Sequence, residues 1–333
     1  MDVARRLYSL AVAGLLVLAG ASAASAETYV ESGLKSAGTH HVIITVTPGH
    51  ENDILATLKK RGASVRSQHP SINGVAADID GRDVADLATH GAVTITADSL
   101  VHGSGAISNT TKYLDPAFST LRASLGLTAG SPDNLSADAI NGSGVGIAII
   151  DSGIVLGDDF DGRVIKWKDY VSGKTLPYDD FGHGTHIAGL IASSGKQSGY
   201  MFQGIAPRAN LVVLKVLDQN GAGLDSDVIA AIERAVALKN TYNIRVINLS
   251  LGRPVFERAA NDPLCVAVEA AWNAGMRGHE VIVFEDSEVG VASAKAAGMR
   301  CVAVLGTVEP NRLAQADELV PAIDVPLMRR LLG

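Results

Sequence analysis

An uninterrupted apolar run that ends on an acidic residue limits most strongly how this chain can fold. Residues Val145–Ile150 carry no polar side chain, and Asp151-Ser152-Gly153 follows them directly. Such a run is typical of a strand buried on both faces of a parallel sheet. Open α/β sheets bind their ligands at the carboxyl ends of their strands. The sequence therefore predicts a parallel α/β sheet with Asp151 at its functional edge.

A histidine motif lies farther along the chain. The segment Asp180–Gly189 places His183 at the start of a helix of small residues, where glycines allow close backbone approach. Histidine can serve as a general base toward a nucleophile, and a buried carboxylate fixes its tautomer and stabilises the imidazolium. We therefore predict that Asp151 and His183 form a catalytic pair, and we interpret His186 as structural.

Four motifs in this order resemble the subtilase family of serine proteases. They are Asp151-Ser-Gly, His183-Gly-Thr-His-Ile-Ala-Gly, Gly204–Leu211 with Lys215-Val-Leu, and Val246–Gly252. The order Asp before His is also that of the family. The resemblance implies a partial doubly wound, subtilisin-like parallel sheet over residues 145–276 and hydrolysis of polypeptides by an Asp-His-Ser triad. It further implies that Ser250, Leu251 and Gly252 contact the substrate.

Residues 27–102 are predicted to form a small α+β unit. Strand and helix patterns follow one another in the order β-α-β-β-α-β, which is a ferredoxin-like order. The predicted strands and helices are His41–Val46, Gly49–Arg61, a short strand at Val65, Asn73–Ile79, Arg82–His90 and Val93–Ala97. The unit resembles the propeptide of secreted subtilases, most clearly at Ile72–Ala77 and Val93–Asp98. The resemblance implies an inhibitory prodomain, with processing inside a linker over residues 103–144.

The first residues are typical of an export signal. Arg5 and Arg6 precede the apolar stretch Leu10–Ala19, and Ala24-Ser25-Ala26 has the small residues of a cleavage site. The apolar stretch is shorter than the ~20 residues that a membrane-spanning helix needs. We therefore predict a signal peptide over residues 1–26, a secreted or periplasmic protein, and no membrane partner after cleavage. The formal net charge of -7 lacks the basic footprint of a nucleic-acid-binding domain.

Two motifs that the subtilase resemblance leads us to expect do not occur in the sequence. After a helix predicted over Leu264–Ala274, a subtilase continues with an apolar strand and Ala-Gly-Asn, whose Asn donates to the oxyanion. Gly-Thr-Ser, which carries the nucleophile, follows later. None of the serines after His183 stands in such a motif; they are Ser193, Ser194, Ser198, Ser226, Ser250, Ser287 and Ser293. The nucleophile must lie on the right element to reach its base, so we predict a catalytically incomplete protease.

Residues 277–333 carry a second resemblance. Val283-Phe-Glu-Asp-Ser287 and Ala296-Ala-Gly-Met299 resemble the C-terminal part of a haloacid-dehalogenase-type hydrolase. The resemblance implies that Glu285 and Asp286 form a vestigial Mg²⁺ site, since hard oxygen ligands suit this ion. The nucleophile motif of that family is mimicked only by Asp78–Gly81, which belongs to the first unit. We therefore predict a β-α-β remnant that is joined near Met276-Arg277 and continues the subtilase sheet.

Three functions follow from these patterns. The first is a secreted serine endopeptidase by ancestry, whose partners would be a polypeptide substrate and its own prodomain. The second is a Mg²⁺-dependent phosphatase, and the third is a non-catalytic module that inhibits another protease. The protease chemistry requires no cofactor, and the sequence assigns no calcium site.

Overall fold

The computed structural model describes most of the two predicted folded units and of the tail. It covers residues 28–103, 127, 141–254, 258–275, 282–296, 300–321, 323, 327 and 330–331. The predicted signal peptide, and the predicted linker apart from Gly103, Leu127 and residues 141–144, lie outside the described residues.

The first unit is one sheet covered by two helices. Its elements are β1 (Tyr29–Val30), β2 (Thr39–Val46), α1 (Glu51–Arg61), β3 (Ser64–His69), β4 (Gly74–Asp80), α2 (Val84–Ala88) and β5 (Ala92–Ala97). The strands lie in the order β1-β5-β2-β4-β3. From β2 to β5 the elements follow each other as β-α-β-β-α-β, with α2 shorter than expected because residues 81–83 form a 3₁₀ turn. Ile44, Ile54 and Leu87 belong to the core that this sheet shares with its helices.

The second unit contains the predicted parallel sheet. In chain order its elements are β6 (Leu100–Gly103), β7 (Gly146–Asp151), β8 (Val164–Asp169), α3 (His183–Ala192), β9 (Asn210–Lys215), β10 (Ala222–Leu224), α4 (Asp225–Leu238), β11 (Ile244–Leu249), β12 (Leu251–Gly252) and α5 (Pro263–Asn273). Four of these strands pair in parallel in the order β11-β7-β9-β8.

Helices cover both faces of the parallel sheet, as in a doubly wound fold. Successive side chains of a strand point to opposite faces. On β7, Ala148 and Ile150 pack in the core formed with α4 and α5. Ile147 and Ile149 pack on the other face, in the core formed with α3. This two-sided burial explains why β7 is apolar throughout.

A short strand from the end of the first unit enters the second unit. Strand β6 lies between β10 and β12 and is antiparallel to both. The sequence did not predict this strand, and the expected boundary between residues 102 and 103 falls inside it. A strand of four residues is too short to show a clear alternation of apolar and polar side chains. Its partners β10 and β12 also lie far along the chain, so no neighbouring sequence indicates the pairing.

The tail forms a sheet of its own. Strands β13 (Ile282–Glu285), β14 (Arg300–Val304) and β15 (Glu318–Val320) pair in parallel in the order β13-β14-β15, with helix α6 (Glu288–Ala296) between β13 and β14. The expectation that the tail continues the subtilase sheet is wrong, because among the described residues β13 pairs with β14 and not with β11. Val291 of α6 packs on Cys301 and Ala303 of β14, so the tail buries apolar surface within itself.

Within the part of the chain that the structure describes, no helix is both long and apolar enough to cross a membrane.

Candidate active site

The predicted catalytic pair is assembled at the carboxyl end of β7. Asp151 is the last residue of that strand, and His183 is the first residue of α3. Nδ1 of His183 lies 2.8 Å from Oδ1 and 3.0 Å from Oδ2 of Asp151. Both side chains are buried, with exposed fractions of 4% for His183 and 0% for Asp151. Burial raises the pKa of Asp151, and the hydrogen bond from His183 opposes that rise.

Two glycines let the elements that carry this pair approach each other. A Cβ on Gly184 would lie 2.3 Å from the carbonyl oxygen of Gly153, and a Cβ on Gly153 would lie 2.0 Å from that of Tyr178. Gly153 also has a φ of 121°, a conformation that favours glycine. The backbone after Asp151 therefore packs directly against the first turn of α3.

An aspartate that sequence reasoning missed fixes the start of α3. The carboxylate of Asp179 accepts hydrogen bonds from the Ser152 hydroxyl, the Gly182 amide and the Thr185 amide and hydroxyl, at 2.6–2.8 Å. Burial acts to raise the pKa of Asp179, but these donors outweigh it, so that the pKa lies below its usual value. Ser152 in turn accepts from the Gly184 amide at 2.8 Å. This network links the strand of Asp151 to the helix of His183.

The chain's own strand β6 lies beside this pair. Leu251 of β12 pairs with Gly103, and Gly252 pairs with His102. On the other side, the Gly103 amide donates to the Gly221 carbonyl at 2.9 Å. A Cβ on Gly103 would lie 3.5 Å from Nδ1 of His183. The backbone of two of the three predicted substrate contacts is thus paired with the chain itself.

The third predicted substrate contact, Ser250, lies between β11 and β12. Its hydroxyl is 3.0 Å from the side-chain nitrogen of Asn248. The side chain of Val101, two residues before Gly103, is fully buried in a core that residues of both units form. This arrangement is that of an extended peptide held between two strands, which is a common mode of peptide recognition.

Polar contacts also join the first unit to helix α4. The carboxylate of Asp98 accepts from the amide of Ser226 at 2.9 Å and from its hydroxyl at 2.7 Å, and it pairs with Arg66. The carboxylate that satisfies the first turn of α4 thus comes from the first unit. Farther along α4, Glu233 accepts from the Ser71 amide at 2.8 Å.

A buried charge cluster lies at the start of α4. The guanidinium of Arg253 donates to Asp225 at 2.7 Å and lies 3.0 Å from the carboxylate of Asp262. Desolvation raises the pKa of Asp225 to about 7, although Arg253 opposes the rise. Desolvation likewise raises the pKa of the nearby Asp227 to about 6.

The acid pair of the tail makes local hydrogen bonds. One oxygen of Glu285 accepts from the amides of Asp286 and Ser287 and from the Ser287 hydroxyl at 2.7–3.0 Å. Asp286 accepts from the Thr307 hydroxyl at 2.6 Å. The described residues contain no group of three acidic, histidine or cysteine side chains placed to hold a metal. Glu285 thus stabilises the local turn that leads into α6, and the vestigial Mg²⁺ site stays a prediction.

The central part of the chain is similar in sequence to known serine proteases. Residues 142–294 match the model of the subtilase family. Serine protease AprX of Bacillus subtilis (strain 168) is 42% identical over 142 residues, which are 41% of this chain and 32% of that protein. Subtilisin E of the same organism is 28% identical over 282 residues, which are 82% of this chain and 66% of that protein. The chain therefore spans between about a third and two thirds of the length of these relatives.

A solved structure supports the fold. Fervidolysin from Fervidobacterium pennivorans, described as a keratinolytic enzyme related to subtilisin, superposes with a TM-score of 0.57 at 19% identity. The match covers 85% of this chain and 46% of that chain. The subtilase family match itself runs past the predicted junction near Met276-Arg277 to residue 294, and so includes β13 and most of α6. The haloacid-dehalogenase resemblance of the tail stays a prediction.

Proposed function

We propose that the chain is a catalytically incomplete subtilisin-like serine peptidase that blocks its own cleft. The proposal starts from the match of residues 142–294 to the model of the subtilase family. The observation that carries the proposal is strand β6. It lies between β10 and β12 as a substrate would, and its Gly103 lies against the Asp151–His183 pair.

Asp151 and His183 are arranged as the acid and the general base of a Ser-His-Asp triad. With Asp151 ionised, its two oxygens accept the Nδ1 proton of His183, so that Nε2 is the nitrogen able to take a proton from a hydroxyl. The 333 residues contain neither Gly-Thr-Ser nor Ala-Gly-Asn. Loss of the nucleophile leaves only the catalysis that comes from binding and oxyanion contacts, and the oxyanion Asn is missing as well. These residues alone are therefore expected not to hydrolyse peptide bonds.

The first unit is proposed to act as an inhibitory prodomain in cis. Support comes from three contacts with the second unit: the β6 pairing, the Asp98 carboxylate on α4, and the Ser71 amide on Glu233. Export through a signal peptide over residues 1–26, to the cell exterior or the periplasm, belongs to the same proposal. N-terminal sequencing of the exported chain should begin at Glu27.

Self-cleavage tests the proposal. A prodomain strand that ends beside an active His183 would be cut close after Gly103. We expect the intact mass of the purified chain to stay constant during long incubation, and casein hydrolysis not to exceed that of a His183→Ala variant. Cleavage after Gly103, or casein hydrolysis that His183→Ala abolishes, would show that the chain holds a working nucleophile and would overturn the proposal.

A further inference from the structure

A fully buried lysine lies one strand away from the Asp151–His183 pair. Lys215 is the last residue of β9, is 0% exposed, and pairs in register with Asp151 on β7. Its Nζ donates to the carbonyl of Ser152 at 2.5 Å, to a carboxylate oxygen of Asp180 at 2.6 Å and to the carbonyl of Leu217 at 2.7 Å.

Burial of this ammonium group costs desolvation free energy, which its hydrogen-bond partners must offset. A charge taken out of water is tolerated only when its partners compensate it, and an ammonium group has three protons to place. Here each of the three acceptors takes one. The preceding four residues of β9, from Leu211 to Leu214, are all buried apolar side chains, so an apolar residue at position 215 would continue the pattern of the strand.

The three acceptors belong to the three segments that form the site. Ser152 directly follows Asp151. Asp180 lies in the turn that leads into α3 and His183. Leu217 donates its amide to the Asp151 carbonyl, and its side chain lies next to Gly103 of β6. The Lys215 ammonium group therefore links three segments by hydrogen bonds: the one that follows Asp151, the turn that precedes His183, and the segment of Leu217 beside β6.

We propose that Lys215 is a positioning residue that holds Asp151 and His183 in hydrogen-bonding register. The inference rests on the proposed function, because it assumes that the pair acts as an acid–base dyad. Lys215 does not itself touch the reacting groups. Asp180 is its partly exposed counter-charge, and the ring of Tyr178, with its centroid 4.7 Å from Nζ, covers the ammonium group on one side.

The hydrogen-bonded proton between Nδ1 of His183 and Asp151 reports by NMR whether the two side chains are in register. In the full chain labelled with ¹⁵N-histidine, the Nδ1 proton of His183 should give a strongly deshielded signal, identified by its loss in Asp151→Asn. We expect Lys215→Met to lose this signal while the variant still unfolds cooperatively. The control is Lys168→Met, which removes an exposed lysine of strand β8 and should leave the signal unchanged.

Each outcome decides the matter. A folded Lys215→Met chain with an unchanged signal overturns the inference and leaves the proposed function standing. If Lys215→Met does not fold, Asp180→Ala is used, because it removes one of the three acceptors of Lys215 at a partly exposed position. That variant should exchange the Nδ1 proton with water faster than the wild type, and an unchanged exchange rate overturns the inference. If the wild type gives no such signal, the dyad is not formed, and the proposed function fails together with the inference.

Discussion

The ionisation state of Asp225 depends strongly on its surroundings. Its side chain is fully buried, and its pKa of about 7 lies well above the value near 3.9 of an unfolded aspartate. A carboxyl whose folded pKa is raised binds its proton more tightly in the native state. It therefore stabilises the fold fully below the unfolded pKa, and this contribution is lost as the pH rises through about 7.

We expect Asp225→Asn to flatten the pH dependence of stability. The free energy of unfolding of the wild type should decrease between about pH 4 and pH 7, and the variant should lose most of this slope. Asp227, with a pKa raised to about 6, retains a smaller slope of the same sign. Urea denaturation at several pH values measures the effect. The exposed carboxylate of Asp158 supplies the control, because Asp158→Asn should preserve the slope, and an identical slope in Asp225→Asn would contradict the prediction.

Among single residues, the sequence predicted the catalytic pair but not the residues that hold the pair in place. Asp151 and His183 stood in motifs whose residue types serve one reaction, so that they could be chosen before their distance was known. Asp179 and Lys215 could not be chosen in this way. An aspartate three residues before a glycine and a lysine at the end of a strand are ordinary in sequence. Their roles depend on Ser152 and on the packing of separate segments against each other.

Among the elements, helix α4 begins without a capping residue of its own. Its N-cap position is Leu224, which has no side-chain acceptor, and the Ser226 amide is satisfied by Asp98 of the first unit. Serine favours helix starts, so the sequence offers Ser226 as the cap of this helix. Sequence inspection could not find a carboxylate that arrives from another unit. Strand β6 escaped prediction for the same physical reason, since both of its partners are distant in sequence.

Removal of the Asp98 carboxylate should destabilise the whole assembly of the two units. Loss of a helix cap typically costs about 1 kcal/mol and up to about 2 kcal/mol, and Asp98→Ala also leaves Arg66 without this partner. We expect a decrease of that size in the free energy of unfolding, measured by urea denaturation at neutral pH. Asp53→Ala, in the exposed first turn of α1, is the matched control and should change stability by less than about 0.5 kcal/mol. Equal effects of the two variants would show that Asp98 does not act as a cap.

For the molecule as a whole, the separate sheet of the tail is the main departure from the sequence-based expectation. A parallel strand was due after α5, and the apolar stretch at residues 281–284 suited that position. The pattern could show that a strand exists, but it could not show which edge the strand would join. In the structure β13 pairs with β14, and the tail builds its core from Val291, Cys301 and Leu313.

Truncation after Gly275 should therefore leave the first two units folded. No strand pairing among the described residues joins the tail to them. We expect the truncated chain to remain soluble, to unfold cooperatively at an unchanged urea midpoint and to retain the deshielded Nδ1 proton of His183. An aggregated chain, or one without that proton, would show that the tail supports the site.

The position of β6 has a consequence for any peptide that reaches the cleft from outside. Only two residues separate β6 from β5, so the strand is delivered to its site by the chain itself. A covalently tethered ligand acts at an effective concentration in the millimolar range, even before its own contacts are counted. If β6 and a free peptide each bind the empty cleft with a dissociation constant of about 1 μM, the free peptide needs millimolar concentrations to displace β6, about a thousandfold loss of apparent affinity. Under the proposed function, the uncut chain is therefore expected to close its cleft to other polypeptides by competition alone.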